Sequence, residues 1–219
     1  MPVGISPLTL SIMKSKKFIV IGAIIAVVVL LIGWYVSVRN NLVTIDENVE
    51  NQWAKVEVQY QRRMDLIPSL VETVKGYAKH ESETYENVTR ARAGLSDAYN
   101  AANELQQSAT NANATEQSLD QYNAAQQSLG RALSIYVNAV REAYPDLKAD
   151  SQFSDLQTQL EGTENRIATE RGRYTDVVKD YNVTVRRFPA SIVASISGFG
   201  VKPQFKADPQ ASQAPKFTF

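Results

Sequence analysis

Residues 18–38, FIVIGAIIAVVVLLIGWYVSV, hold no charged side chain, and this run limits what the rest of the chain can become. As an α-helix rising ~1.5 Å per residue it is about 30 Å long, the hydrocarbon thickness of a bilayer. Trp34 and Tyr35 fall near its end, where amphipathic rings favour the membrane interface. Lys14, Lys16 and Lys17 precede the run, and only Arg39 follows closely. By the positive-inside rule residues 1–17 stay in the cytoplasm, 18–38 cross the membrane, and the remainder lies outside. A cleaved signal peptide needs a small-x-small site after the apolar run. Trp, Tyr and Val stand there instead, so the run is expected to persist as a single-pass anchor.

Charge and cysteine usage narrow the remainder. Lys+Arg and Asp+Glu both number 23. All the acids fall after residue 39, whereas four of the basic residues precede residue 40, so the exported part is mildly acidic. That balance argues against a nucleic-acid binder. The absence of cysteine excludes disulfides and thiolate metal sites, and is compatible with an oxidising compartment.

From residue 41 to 187 the apolar residues recur at helical spacing. Leu42, Val49, Val56, Arg63, Leu70 and Tyr77 repeat in sevens, with Ile45, Trp53, Tyr60, Ile67 and Val74 between them. Tyr85, Val88, Arg92, Leu95 and Tyr99 continue the pattern, as do Leu119, Tyr122, Leu129, Leu133, Tyr136 and Val140. Phe153, Leu160, Ile167, Tyr174 and Tyr181 close it. Such stripes form cores. QQSATNANATEQS (106–118) reads as a loop, and Pro145 in YPDLKADS ends a helix that Asp150 or Ser151 restarts. Lys75-Gly76 resembles a helix end, and Ser82 with Glu83 and Glu86 a helix start, which puts a corner at 76–81. The expected architecture is all-α: the anchor, then an antiparallel up-and-down bundle over 41–188 built from helices 41–75, 82–106, 117–144 and 151–187. The rival is one unbroken helix from 41 to 106 followed by two more. Pro68 falls inside the first helix, where it removes a backbone bond and predicts a kink; alternatively Asp65 caps a fresh helix there. After Pro189, residues 189–219 read as one short apolar helix and an extended, partly disordered tail.

Chemistry is sparse. His80-Glu81 invites a zinc-hydrolase reading, but a second imidazole one turn on is needed, that position is Thr84, and the chain has no other histidine. A di-iron carboxylate site fails for the same reason. No nucleophile elbow or phosphate loop is present. The expectation is no enzyme, no metal and no cofactor. One constellation departs from plain packing: Arg63 and Arg92 occupy seam positions, and Glu161, Glu164 and Asn165 interrupt the stripe of the last helix beside Gly162. Counted from the corners, these sites lie at similar depth and predict a buried ionic layer that fixes register, with Gly162 permitting close helix approach. The two distal corners gather Lys75, Tyr77, Lys79, His80, Glu81, Tyr144, Asp146 and Lys148 into a candidate docking face.

Seven separated motifs then carry a resemblance: RRMDLIPSLVETVKGYAKHE (62–81), ARA (91–93), YPDLKA (144–149), LEGTENRIA (160–168), DYN (180–182), FP (188–189) and GF (198–199). Together they resemble the LemA family of bacterial membrane-anchored proteins over about residues 40–206. The resemblance implies an N-terminal anchor in the bacterial cytoplasmic membrane and an extracytoplasmic, periplasmic helical bundle. It implies no agreed biochemical activity, and some relatives are linked to forming membrane organelles in magnetic bacteria. Two functions therefore compete: a scaffold or adaptor presenting a helical surface to envelope or membrane proteins, with homo-oligomer formation open, or a membrane-organising protein acting through self-association and its C-terminal segment. Liposome binding with and without residues 188–219 separates them.

Overall fold

The computed structural model describes residues 7–79, 85–109 and 116–205, and these are helical nearly throughout. The helices are α1 (Pro7–Ala78), α2 (Glu86–Ala109), α3 (Glu116–Ala143), α4 (Ser151–Arg186) and α5 (Ala190–Ser197), with a 3₁₀ turn at Pro145–Ala149. No strand occurs among the described residues. The chain divides into two compact units, residues 48–180 with 202–219, and residues 1–47 with 181–201.

The first unit is an up-and-down four-helix bundle, and side-chain pairs give its directions. Gln52 and Trp53 meet Glu170 and Tyr174, whereas Arg63 meets Glu164, so α1 and α4 run antiparallel. Tyr60 packs on Tyr122, Arg63 bonds Gln126 and Tyr77 packs on Tyr144, so α1 and α3 run parallel. Gln106 bonds Gln61 at one end of the α1–α2 pair. At the other end the rings of Tyr77 and Tyr85 both stack edge-on against Tyr144, at 5.8 and 5.3 Å. This turn-back excludes the unbroken helix from 41 to 106. The heptad positions fill the interior: Ile67, Leu70 and Val74 of α1, Val88, Leu95 and Ala102 of α2, Leu129, Leu133, Tyr136 and Val140 of α3, and Phe153 and Leu160 of α4.

Local signals set the ends. α3 stops before Pro145, whose ring disfavours helical geometry at Tyr144. Asp150 Oδ1 then accepts the backbone N–H of Phe153 at 2.9 Å, so Asp150, not Ser151, caps α4. α1 continues through Gly76 to Ala78, three residues past the expected end. Ser82, the expected cap of the second helix, lies outside the described residues. Helix α1 is also unbroken at Pro68, so no fresh helix starts at Asp65, whose carboxylate instead accepts a 2.6 Å bond from Gln61. Pro68 lies on the exposed face and has no N–H to donate to the Met64 carbonyl one turn back.

The second unit contains the apolar run. From Ile19 to Ile32 the side chains are exposed on every face, the pattern of a helix surrounded by lipid. This helix fits a membrane anchor by length and composition. No proline or glycine lies between residues 34 and 67, and α1 carries the apolar run and the first bundle helix without a break. In the same unit Leu42, Tyr181, Val185, Val193 and Ala194 are buried. Gly198 ends α5 at φ 79°, a left-handed conformation that glycine adopts without strain, and Phe199 N–H closes the turn onto the Ala194 carbonyl at 3.0 Å.

Candidate functional site

Arg63 is 2 % exposed and organises the only charged cluster found in the bundle interior among the described residues. Its Nη1 donates to Glu164 Oε1 at 3.0 Å and to Oε2 at 3.3 Å. Its Nη2 donates to the Gln126 carbonyl at 2.7 Å and to Gln126 Oε1. Gln126, itself 1 % exposed, turns its amide toward Tyr122 Oη at 3.1 Å and Met64 Sδ at 3.5 Å. The guanidinium carbon sits 5.5 Å from the Tyr60 ring centre, within cation–π range. Three helices thus place ligands around one cation, and Glu164, with its side chain 41 % exposed, neutralises it from the solvent side.

Space for the guanidinium comes from Gly130. A Cβ there would stand 3.0 Å from Arg63 Nη1. Beside it opens a pocket of about 380 Å³ lined by Tyr60, Arg63, Gly130, Arg131, Glu164 and Arg171, among others. Tyr60 Oη and Arg63 Nε are buried at this pocket without a protein hydrogen-bond partner. Burial raises the Tyr60 pKa, with Arg171 and Arg63 opposing the shift. A polar pocket of this size has room for water that satisfies both atoms.

The remaining residues of the expected ionic layer lie elsewhere. Arg92 is exposed, because the buried stripe of α2 runs through Val88, Leu95 and Ala102. Asn165 is exposed, and Glu161 faces outward, where it accepts a 2.7 Å bond from Gln157 and lies 3.8 Å from Arg141. Gly162 is exposed with nothing within 4 Å of its would-be Cβ; the close approach belongs to Gly130. The layer is Arg63, Glu164 and Gln126. Gln126 was discoverable, since it continues the sevens of Leu119, Leu133 and Val140 with a polar residue.

At the distal end Lys75, Lys79, Asp146 and Lys148 are exposed and Tyr77 is half-buried. Tyr144 is 4 % exposed, so it belongs to the core and not to a docking face. His80 and Glu81 lie outside the described residues. A cleft of about 720 Å³ runs between the last turns of α1 and the start of α4, bounded by Pro68, Glu72, Gly76, Tyr77, Asp150 and Gln152.

The extended segment after α5 carries a contact that periodicity does not reveal. Phe205 stacks on Tyr174 (5.1 Å) and Trp53 (5.9 Å), and the Arg171 guanidinium lies 4.4 Å from its ring centre. Tyr174 Oη donates to the Pro203 carbonyl at 3.4 Å, and Lys202 pairs with Glu50 at 3.7 Å. Residues 202–205 are therefore docked on the bundle, where the sequence reads as a loose tail; residues 206–219 lie outside the described part. Among the described residues no three His, Asp or Glu side chains gather in a metal-binding group.

A bundle of this kind, with RRMDLIP and LEGTENRIA meeting at the Arg63–Glu164 pair, matches a known family model over residues 52–219. The chain belongs to the LemA family. The match includes the 107–117 loop and the residues after 206, which the separated motifs alone leave out. The LemA-family chain is 26 % identical over 178 residues to magnetosome protein MamQ 2 of Paramagnetospirillum magneticum, covering 78 % of this chain and 65 % of the relative. Magnetosome protein MamQ of Magnetospirillum gryphiswaldense is 25 % identical over 168 residues, 73 % and 61 % of the two chains. Protein LemA of Metamycoplasma hominis is 22 % identical over 160 residues, 73 % and 65 %. The chain thus spans a little under two thirds of the length of these relatives.

Proposed function

We propose that this LemA-family protein is a non-enzymatic scaffold of the bacterial envelope, held in the cytoplasmic membrane by residues 18–38 with its N-terminus inside and the bundle outside. The distal cleft carries the reading. Its walls are polar, Glu72, Thr73, Asp150 and Gln152, with Tyr77 as an aromatic surface, and exposed Lys75, Lys79 and Lys148 belong to the same end of the bundle. Such a surface suits a mixed-charge segment of another membrane or envelope protein, with tyrosine supplying contact area at low entropic cost and the lysines steering. The Arg63 layer serves this role indirectly, by fixing the register of α1, α3 and α4.

The test is site-specific photocrosslinking in living cells from a benzoylphenylalanine at Thr73, inside the cleft, against one at Val58, an exposed position on the same helix. A discrete envelope-protein adduct is expected from Thr73 only. It should disappear when Gly76→Trp fills the cleft, at a position where nothing lies within 4 Å of the Cβ. Identical adducts from both positions, or an adduct indifferent to Gly76→Trp, would remove the cleft from the account.

A further inference from the structure

Helix α5 is two-faced. Val193 and Ala194 are 1 % exposed, packed inward, whereas Ile192 is 50 % and Ile196 70 % exposed one turn apart on the opposite side. Phe188, in the turn that precedes the helix, is 76 % exposed, and Val201, just after it, 59 %. An eight-residue helix with this much apolar surface in water is costly unless something covers it.

Its neighbour identifies the cover. Ser197, at the C-terminal end of α5, shares a 3.1 Å hydrogen bond with Tyr35, in the last turn of the apolar run. The exposed face of α5 and those of Trp34 and Val36 therefore share one unit, and the C-terminal end of α5 lies at their level of α1. The charges agree. Arg39, Arg186 and Arg187 are exposed in the same unit, and residues 18–44 and 181–201 contain no acidic side chain; the acids of the unit, Asp46 and Glu47, lie about three turns beyond Tyr35 on α1. An apolar face next to the end of a bilayer-length helix, with arginines closer to it along the chain than any acid, is the composition of a segment lying in the plane of an anionic lipid surface.

We propose that α5 is an interfacial foot. Its Ile192–Ile196 face, with the exposed Phe188 ahead of it, lies in the headgroup–acyl boundary of the leaflet where the C-terminal end of the apolar run emerges, with Arg39, Arg186 and Arg187 at anionic phospholipid headgroups. The chain would then contact its membrane twice, by one helix through both leaflets and by a second in one leaflet. This rests on the apolar run spanning a bilayer, and the experiment separates the two claims.

The natural chain has no cysteine, so single cysteines can be introduced and labelled with an environment-sensitive nitrobenzoxadiazole probe. The full-length protein is reconstituted in phosphatidylcholine vesicles with and without phosphatidylglycerol. Ile196→Cys and Ile192→Cys report the foot, Ile25→Cys the middle of the anchor, and Glu47→Cys a control about 18 Å beyond Tyr35 along α1. Expected are strong quenching of Ile25→Cys by a nitroxide deep in the acyl chains, and of both foot probes by a nitroxide near the glycerol. The foot probes should be at least about threefold less sensitive to aqueous iodide than Glu47→Cys, as for side chains below the headgroups. Phosphatidylglycerol should deepen the foot probes, and Arg186→Gln with Arg187→Gln should weaken that dependence. Foot probes as iodide-sensitive as Glu47→Cys, with Ile25→Cys still quenched, would overturn the foot alone. Loss of quenching at Ile25→Cys would overturn the anchor. Foot probes shielded from iodide yet untouched by lipid nitroxides would mean that protein covers the face, which also overturns the proposal.

Discussion

Removing the Glu164 carboxylate tests the polar layer directly. At an effective dielectric of about 20, opposite unit charges 4 Å apart attract by roughly 4 kcal/mol. Desolvation and screening offset much of this, since Glu164 is 41 % exposed while Arg63 is 3 % exposed at the side chain. Glu164→Gln, which retains one acceptor oxygen, is therefore expected to cost about 1–3 kcal/mol, below the 3–5 kcal/mol of a fully buried pair. Arg63→Met should cost a comparable amount, because Gln126 Oε1 loses its donor. The double variant should cost less than the sum, with a coupling of about 1–2 kcal/mol. Denaturant unfolding of the full chain in detergent micelles, followed by far-UV circular dichroism, gives the four free energies. A coupling within ~0.5 kcal/mol of zero, the additivity expected of distant sites, would show that the pair holds nothing in register.

Gly130→Ala should lose the roughly 1 kcal/mol that Gly→Ala contributes in an open helix interior, because its Cβ meets Arg63 Nη1, whereas Gly94→Ala and Gly162→Ala should each stabilise by about 0.5–1 kcal/mol; parallel melts of the three variants check the ordering. Pro68→Ala should stabilise α1 by up to ~3 kcal/mol, since the helix already runs through that position, and a lower denaturation midpoint would show that the proline fits a specific distortion. Burial, before any charge, pushes Tyr136, Tyr174 and Tyr181 up to about 12, from the usual 10. The raised folded-state values mean that this stabilisation is complete below pH 10 and is lost as pH rises from 10 through about 12, which tyrosinate absorbance and circular dichroism recorded together would detect.

The stripes legible in the sequence were those made of large side chains. Phe153, Leu160, Ile167, Tyr174 and Tyr181 all point inward because a seven-residue repeat keeps one helix face toward its partners. Arg92 falls off the α2 seam, which half-buried Ala91 and Ala98 and buried Ala102 share with Leu95, and small apolar residues mark a face weakly in a sequence. Glu164 was recognisable as a break in a stripe, and Gln126 as polarity within one. Which glycine admits the guanidinium was not, because Gly130 and Gly162 differ only in the direction each faces. The Phe205 contacts have no period to betray them: an extended segment docks through single side chains, and the aromatic pocket of Trp53 and Tyr174 forms only once α1 and α4 are antiparallel.

The placement of the bundle outside the cytoplasm is the claim on which the scaffold reading depends, and one labelling experiment addresses it. Single cysteines at Ser15, before the apolar run, and at Glu161, exposed on α4, are treated with a membrane-impermeant maleimide on intact spheroplasts and again after lysis. The account predicts labelling of Glu161→Cys before lysis and of Ser15→Cys only afterwards. The reverse pattern, or Glu161→Cys protected until lysis, would place the bundle in the cytoplasm and contradict it.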